Sequence, residues 1–246
     1  MNRQAKTTLF DLVSARTKIA FWLGGGICLV LAFLFVAFPE VDIAVSRIFF
    51  NADPAVVAGA EAGKGFFLKE DPALNFLFKA VDVISRGVLI IAIGLLVLRS
   101  FQRHGRLLST AIVAFSLIIG PAVVVNAVFK DHWDRARPRQ IQEFGGEKIF
   151  TPAWVVSNQC DRNCSFTSGH AAAGFSFVVL HFVARGRRWL GLGLLVGGLI
   201  GAARIAVGAH FLSDIVFSFF LVYLTAALVA RILVKISTNS AKSISV

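Results

Sequence analysis

Charged side chains are scarce in this 246-residue chain: they make up 16% of it, whereas hydrophobic side chains make up 57%. Soluble domains carry about 25% charged and roughly 45–50% apolar residues. A water-soluble globule of this length has too little interior to bury so much apolar surface, and a disordered chain would be far more polar. The composition excludes both classes and indicates an integral membrane protein.

Acidic residues are the scarcer charged group, with 14 Asp and Glu against 25 Lys and Arg, which gives a net charge of +11. In a soluble protein this excess would suggest nucleic-acid binding. In a membrane protein the same excess marks the cytoplasmic loops. The apolar content favours the second interpretation, so we expect the lipid bilayer and not a nucleic acid as the partner.

Cysteine is also rare, with three in the chain. Cys28 lies within an apolar run and is expected to serve packing alone. Cys160 and Cys164 lie four residues apart in a polar segment, and two thiols alone cannot form a zinc site. In an oxidising compartment this pair is expected to form a short disulfide, with two free thiols as the alternative.

Apolar runs predict an all-α fold, a bundle of six transmembrane helices, since about 20 largely apolar residues cross a bilayer. The predicted spans are Ile19–Phe38, Val81–Leu98, Leu107–Phe129, Ser165–Ala184, Trp189–Ala209 and His210–Ala230. The fifth span also has a small-residue face suited to close helix packing. That face is formed by Gly191, Gly193, Gly197, Gly198 and Gly201.

Outside these spans, the single membrane-embedded domain 1–246 has tails at 1–18 and 235–246 and external segments at 39–80 and 130–164. We expect the first external segment to lie along the membrane surface through its aromatic residues. Those residues fall in Val45–Phe50 and Phe66–Phe67.

Basic residues set the orientation, because cytoplasmic loops are enriched in Lys and Arg. The tails and alternate loops hold 13 Lys and Arg against Asp11 alone. Both termini are therefore expected in the cytoplasm, with the other helix ends in the periplasm. The first span runs into Pro39 with no small-residue cleavage site, so we interpret it as a retained anchor. The loop residues that carry this signal are Arg99, Arg103, Arg106, Arg185, Arg187 and Arg188.

The first of three polar motifs follows the third span and contains Lys130, Arg137 and Pro138. Lys130 and Arg137 are two helical turns apart, so a continuing helix would place both on one face, and Pro138 would end it. The alternative is a basic collar whose charges extend toward lipid headgroups.

The second motif, Ser168-Gly169-His170, opens the fourth span. Ser168 is a good helix N-cap. The same geometry offers free backbone N–H groups and the positive end of the helix dipole to an anion. A cap alone needs no histidine, and His170 could give or take a proton beside that anion.

The third motif contains Arg204, His210 and Asp214, with Gly208 expected to break the helix between the first two. His210 and Asp214 are four apart, on one helix face. An aspartate that bonds one ring nitrogen fixes the histidine tautomer and leaves the other nitrogen free to attack. The alternative is a buried ion pair that only stabilises the bundle.

Together the motifs fit phosphoryl transfer, which needs cations on the phosphate oxygens, an in-line nucleophile and a protonated leaving group. The spacing Lys130-x6-Arg137-Pro138, Ser168-Gly169-His170 and Arg204-x5-His210-x3-Asp214 resembles the three-part signature of the type 2 phosphatidic acid phosphatase superfamily. The chain departs from that signature at Thr167, where the family usually has Pro, and at Ala203, where it usually has Ser.

The resemblance implies a lipid phosphatase that uses no metal or other cofactor and forms a phosphohistidine on His210. Asp214 and His170 would be the other catalytic residues. The residues implied to bind the substrate are Lys130, Arg137, Arg204, Ser168 and Gly169.

The segment from Arg135 to Phe166 is similar to the lipid A phosphatase branch of bacterial inner-membrane enzymes, particularly the 4'-phosphatases. This implies removal of the 4'- or 1-phosphate of lipid A. Phosphatidylglycerophosphate and undecaprenyl diphosphate are the alternative substrates, because each also presents a phosphate at headgroup depth.

Two other function classes remain as alternatives. A transporter or proton channel would also carry intramembrane His, Arg and Asp, but it would distribute them through the membrane depth. A metallohydrolase could use His170, His210 and Asp214 as ligands. The three nearby cations would repel a divalent ion, which argues against it.

Overall fold

The structure is a computed structural model that describes residues 3–53, 64–102 and 106–243. The described part of the chain is helical and contains no β-strand. This confirms the all-α prediction. The predictions made for Arg103, and for the parts of the tails and external segment at 1–2, 54–63 and 244–246, lie outside the described residues.

Seven helices, α1 to α7, organise the described residues. Helix α1 comprises Arg3–Ile19, a π-helical turn Ala20–Gly24 and Gly25–Ala37. The next two are α2 at Glu40–Arg47 and α3 at Pro72–Phe101. Helix α4 comprises Leu107–Leu117, a π-helical stretch Ile118–Phe129 and Lys130–His132. The last three are α5 at Gly169–Val183, α6 at Arg188–Ala206 and α7 at Leu212–Ser243.

Five of these helices are long and apolar enough to cross a membrane, namely α1, α3, α4, α6 and α7. Helix α5, which was predicted as a full span over Ser165–Ala184, is shorter and apolar. It begins only at Gly169, because Ser168 is extended, and it ends where Ala184 leaves the helical region. It also contains a 3-10 turn at Ser176–Val179.

The spanning helices differ in how much of their surface is covered by protein. Helices α1 and α3 expose large apolar side chains such as Trp22, Phe33 and Ile90, as expected of helices that face lipid. Helix α7 is the most buried span, and its residues Phe217 and Val222 are fully enclosed. Helices α1, α4, α5 and α6 pack against α7, whereas α3 packs against α4 and α5.

Helices α5 and α6 pack backbone to backbone through glycines. A Cβ added to Gly174 of α5 would lie 2.7 Å from the Cα of Gly197 of α6. On the side of α6 that faces α7, a Cβ added to Gly201 would lie 2.3 Å from Ile215. No other atom lies within 4 Å of a Cβ added to Gly191 or Gly198. The predicted small-residue face is confirmed at Gly193, Gly197 and Gly201 and wrong at the other two.

The helix predicted to continue from Lys130 to Pro138 ends instead at His132. Asp134 has a positive φ of 52°, which turns the chain out of the helix. Arg137 is extended, and two 3-10 turns follow, at Pro138–Gln140 and Gln142–Phe144. Lys130 and Arg137 therefore do not share a helix face.

The first external segment does not lie wholly on the surface as expected. Phe67 is exposed, but Phe66 is buried and packs with Phe50 and Phe144, with ring centroids 5.0–5.2 Å apart. The described parts of 39–80 and 130–168 thus pack against each other over one end of the bundle. We refer to these two segments together as the cap.

The contact between α5 and α6 leads to a stability prediction. Gly174→Ala should destabilise the fold by about 1–3 kcal/mol, because the new methyl group meets backbone that cannot rotate away. Gly198→Ala is the matched control, since its methyl group has open space. Thermal unfolding of both purified variants in detergent measures the difference. Equal unfolding midpoints would contradict close backbone packing.

Candidate active site

The three motifs meet at the capped end of the bundle. The charges of Lys130, Arg137 and Arg204 all act on His210, which is fully buried. Phe78 of α3 connects the second and third motifs: its ring centroid lies 5.5 Å from that of His170 and 4.5 Å from Cζ of Arg204.

The start of α5 is built as an N-cap, as predicted for Ser168. Its Oγ accepts a hydrogen bond from the backbone N–H of Ala171 at 3.4 Å, and its own N–H donates to Ser218. The amides of Gly169 and His170 lie in the first helical turn, where no carbonyl of the helix can accept them. These two amides are the ones available to an anion.

Gly169 packs closely against the Asn126 side chain of α4. An added Cβ would lie 2.5 Å from Oδ1 of Asn126. The Asn126 amide donates to the carbonyl of Pro121 at 2.7 Å, within the π-helical stretch that contains this proline. The Asn126 side chain is thus held by the backbone of its own helix. The same side chain fixes the distance between α4 and α5.

His210 is held by a backbone carbonyl. Its Nδ1 lies 2.8 Å from the carbonyl oxygen of Ser165. Because a carbonyl can only accept, Nδ1 carries the proton, and the neutral ring then has an unshared electron pair on Nε2. Nε2 is buried and has no hydrogen-bond partner among the described residues. It is therefore free to act as a nucleophile.

The electrostatic surroundings keep His210 neutral. Burial lowers the pKa of His210 well below its ordinary value of 6.5, and Arg204, Arg137 and Lys130 lower it further. A neutral imidazole is the form that can attack phosphorus.

Asp214 does not orient His210 in the predicted way. Its Oδ2 lies 3.5 Å from Nδ1 of His210, whereas the Ser165 carbonyl is closer. Oδ2 accepts instead from Ser165 Oγ at 2.5 Å and from the Phe211 N–H at 2.8 Å. Helix α7 begins only at Leu212, so His210 and Asp214 do not share a helix face.

Arg137 is fixed by the loop that carries the cysteines. Its Nη2 donates to the carbonyl of Asn163 at 2.6 Å. Cys160 and Cys164 are joined by a disulfide, and the Cys164 N–H donates to the Lys130 carbonyl at 3.3 Å. Burial, with help from Arg139, lowers the pKa of Arg137 to about 10, so it stays charged at neutral pH.

The turn between α6 and α7 brings Arg204 close to His210. Helix α6 ends at Ala206, and Gly208 has a φ of 65°, which confirms the predicted break. A Cβ added to Gly208 would lie 2.6 Å from the ring of Phe66. The cap therefore packs directly on the turn that joins the two motif residues.

Sequence reasoning missed three residues beside the site. Asp82 of α3 lies 3.4 Å from Nε2 of His170. Arg135, to which the sequence assigned no role, is fully buried with Asp42 and Asp214. No signal in the sequence pairs these residues, because the partners are far apart in the chain.

A metal ion would need several ligands in one place. Among the described residues, no group of three or more His, Cys, Asp or Glu side chains could hold one. The acidic side chains near the site are engaged by arginine, serine and backbone N–H donors, or lie beside His170.

The fold and the three motifs define a family. A family model described as the PAP2 superfamily matches residues 109–237, which include all three motifs. The chain belongs to this superfamily, as its resemblance to the type 2 phosphatidic acid phosphatases predicts.

Three curated relatives are each named Lipid A 4'-phosphatase. The relative from Francisella tularensis subsp. novicida is 35% identical over 82% of this chain and 90% of its own. The one from Rhizobium leguminosarum is 35% identical over 80% of this chain and 88% of its own. The one from Rhizobium etli is 34% identical over 74% of this chain and 75% of its own. No solved structure matches the chain.

The depressed pKa of His210 predicts a pH dependence of stability. Below the ordinary value of 6.5 the unfolded chain binds a proton that folded His210 does not, so the free energy of unfolding falls as the pH falls. The maximum slope from this group is about 1.4 kcal/mol per pH unit. The slope is present below pH 6.5 and vanishes above it. His210→Gln lacks this contribution. Unfolding midpoints of both proteins between pH 7.5 and 5 measure it, and parallel curves would contradict a neutral, buried His210.

Proposed function

We propose that this protein removes the 4'-phosphate of lipid A at the periplasmic face of a bacterial inner membrane. Membership of the PAP2 superfamily and relatives named Lipid A 4'-phosphatase make it a bacterial membrane lipid phosphatase. The main support for the proposed chemistry is His210, a buried and neutral histidine among three cations whose Nε2 has no hydrogen-bond partner among the described residues.

In the proposed first step, Lys130, Arg137 and Arg204 bind the phosphate oxygens, together with the first amides of α5. The Nε2 electron pair of His210 attacks phosphorus in line with the sugar oxygen. The P–N bond forms as the P–O bond breaks, and His170 donates a proton to the departing sugar oxygen. The Ser165 carbonyl accepts the Nδ1–H of His210 and stabilises the positive charge that develops on the ring.

In the proposed second step, His170 takes a proton from water, and the resulting hydroxide attacks phosphorus. The P–N bond breaks, which returns the electron pair to His210 and releases inorganic phosphate. Asp82, 3.4 Å from Nε2 of His170, supports the protonated form that His170 has before the first step and regains in the second. Neither step requires a metal ion or another cofactor.

The proposed topology places both termini in the cytoplasm and counts α5 as the sixth crossing. Arg16 supports this arrangement, because it donates to the carbonyls of His181 and Ala184 at the far end of α5. A charged α1 residue therefore meets the end of α5 opposite the site. The basic loops of that end agree with a cytoplasmic location.

The substrate proposal uses position as well as relationship. The site lies where the spans meet the cap, so its phosphate would sit at headgroup depth while acyl chains remain in lipid. Lipid A presents its phosphates on an amphiphile of this kind. The named activity of the relatives selects it over phosphatidylglycerophosphate and undecaprenyl diphosphate.

Replacing the nucleophile should abolish the reaction. His210→Gln is expected to release no phosphate and to form no phosphoenzyme, because the electron pair of the glutamine amide nitrogen is delocalised and cannot replace that of Nε2. Phosphate release and acid-labile labelling of the protein from a radiolabelled substrate measure this. His181→Gln is the matched control, since His181 is a buried histidine at the opposite end of α5. Turnover by the His210 variant would contradict the mechanism.

The substrate is tested with purified protein and four lipids: lipid A, phosphatidate, phosphatidylglycerophosphate and undecaprenyl diphosphate. We expect lipid A to have the highest kcat/KM, with mass spectrometry of the product showing loss of the 4'-phosphate. The rates should be unchanged in EDTA. Equal rates on all four lipids would contradict the proposed specificity, and activity restored only by added metal would contradict the mechanism.

A further inference from the structure

A buried charge network lies behind His210 and joins Asp214 of the third motif to Arg135 and Asp42, which were not among the predicted site residues. Its centre is Arg135, whose side chain is completely buried. Nη2 donates to Asp42 at 2.8 Å, and Nη1 donates to Asp214 at 2.7 Å and to Ser213 Oγ at 2.8 Å. Nε donates to the Thr151 carbonyl at 2.8 Å. The guanidinium is thereby held on three sides.

Asp42 reaches this network from α2, far away in the sequence. Its Oδ1 accepts the backbone N–H of Ser213 at 2.8 Å, and its Oδ2 accepts the Ser213 hydroxyl at 2.5 Å. It therefore caps the N-terminus of α7 from another helix. Burial raises the pKa of the Asp42 carboxyl, and Arg135 acts in the opposite direction.

The network reaches His210 through Ser165. The Ser165 hydroxyl donates to Asp214 at 2.5 Å, and its backbone N–H donates to the Arg135 carbonyl at 2.8 Å. The carbonyl of Ser165 then accepts Nδ1–H of His210. Arg135 consequently holds Ser165 twice, once through its own backbone and once through Asp214.

Stability alone does not account for such a cluster. Burying two carboxylates with one guanidinium costs desolvation that their attraction roughly offsets, and well-packed apolar residues often do as well. What the cluster does provide is a fixed position for the Ser165 carbonyl. A displacement of about 1 Å at a reacting group costs on the order of 100-fold in rate.

We propose that Asp42 and Arg135 are positioning residues for the phosphatase reaction. They touch neither substrate nor the reacting atoms. Through Asp214 and Ser165 they fix the ring of His210, with the proton on Nδ1 and Nε2 directed at phosphorus. The proposal rests on the proposed function of His210.

Asp42→Asn tests this directly, because it keeps the size of the side chain and removes the charge that Arg135 bonds. We expect kcat to fall by about 100-fold, with KM and the inhibition constant of inorganic phosphate unchanged. Inorganic phosphate would bind to Lys130, Arg137 and Arg204, which are untouched, and needs no bond to His210. Ser213→Ala removes one hydroxyl and no charge, so it should lower kcat less. If Asp42→Asn does not fold, Ser213→Ala is the variant that tests the proposal.

Two comparisons separate positioning from general destabilisation. Arg16→Gln removes a partly buried arginine that bonds carbonyls at the opposite end of α5, so it should lower the unfolding midpoint and leave kcat unchanged. Arg135→Lys keeps one charge but cannot reach all its partners, and we expect a loss of kcat like that of Asp42→Asn. If the two residues act through one route, the double variant is no slower than the slower single variant.

The outcomes are distinct. Full kcat in a folded Asp42→Asn protein, a matching loss of affinity for inorganic phosphate, or additive losses in the double variant would each overturn the positioning role. A wild-type protein that releases no phosphate from any lipid would instead overturn the proposed function.

Discussion

The hydrogen bond from Nδ1 of His210 to the Ser165 carbonyl is the interaction on which the site depends. A histidine buried among three cations must be neutral, and a neutral ring has one proton to place. A carbonyl, unlike a carboxylate, sets the tautomer without adding a charge beside the ring. The carboxylate of Asp214 is used one step further back, on the Ser165 hydroxyl and the start of α7. The tautomer of the proposed nucleophile is thus set by a neutral contact, while Oδ2 of Asp214 lies further away, at 3.5 Å from the same nitrogen.

The arginines of this end of the molecule fall into two kinds. Arg135 forms ion pairs with two carboxylates, which neutralise its charge. Arg137 and Arg204 are held by the Asn163 carbonyl and the Phe78 ring, and no carboxylate among the described residues lies within ion-pair distance of either. A carbonyl or an aromatic ring fixes a guanidinium without neutralising it. Their charge is therefore left for an incoming anion.

The sequence predicted most of the site because its chemistry is local. Ser168 as a cap and Gly208 as a break follow from residue type and spacing, and the spans follow from apolar runs. The helix expected through Arg137 was wrong because packing of the cap overrides helical spacing after His132. Asp42 and Arg135 lie 93 residues apart, and nothing in local pattern joins them. Their pairing exists only because the cap folds back on the start of α7.

The length of the cap has a physical explanation in these contacts. Several motif residues lie at helix ends, so groups from outside their own helices have to hold them. Carbonyls from Thr151, Asn163 and Ser165, and the carboxylate of Asp42, all come from the cap. Phe66, which also belongs to the cap, packs directly against Gly208. The two segments of the cap thus supply the groups that hold the motif residues in place. A shortened cap would keep every motif residue and still lose the geometry that the proposed role of His210 requires.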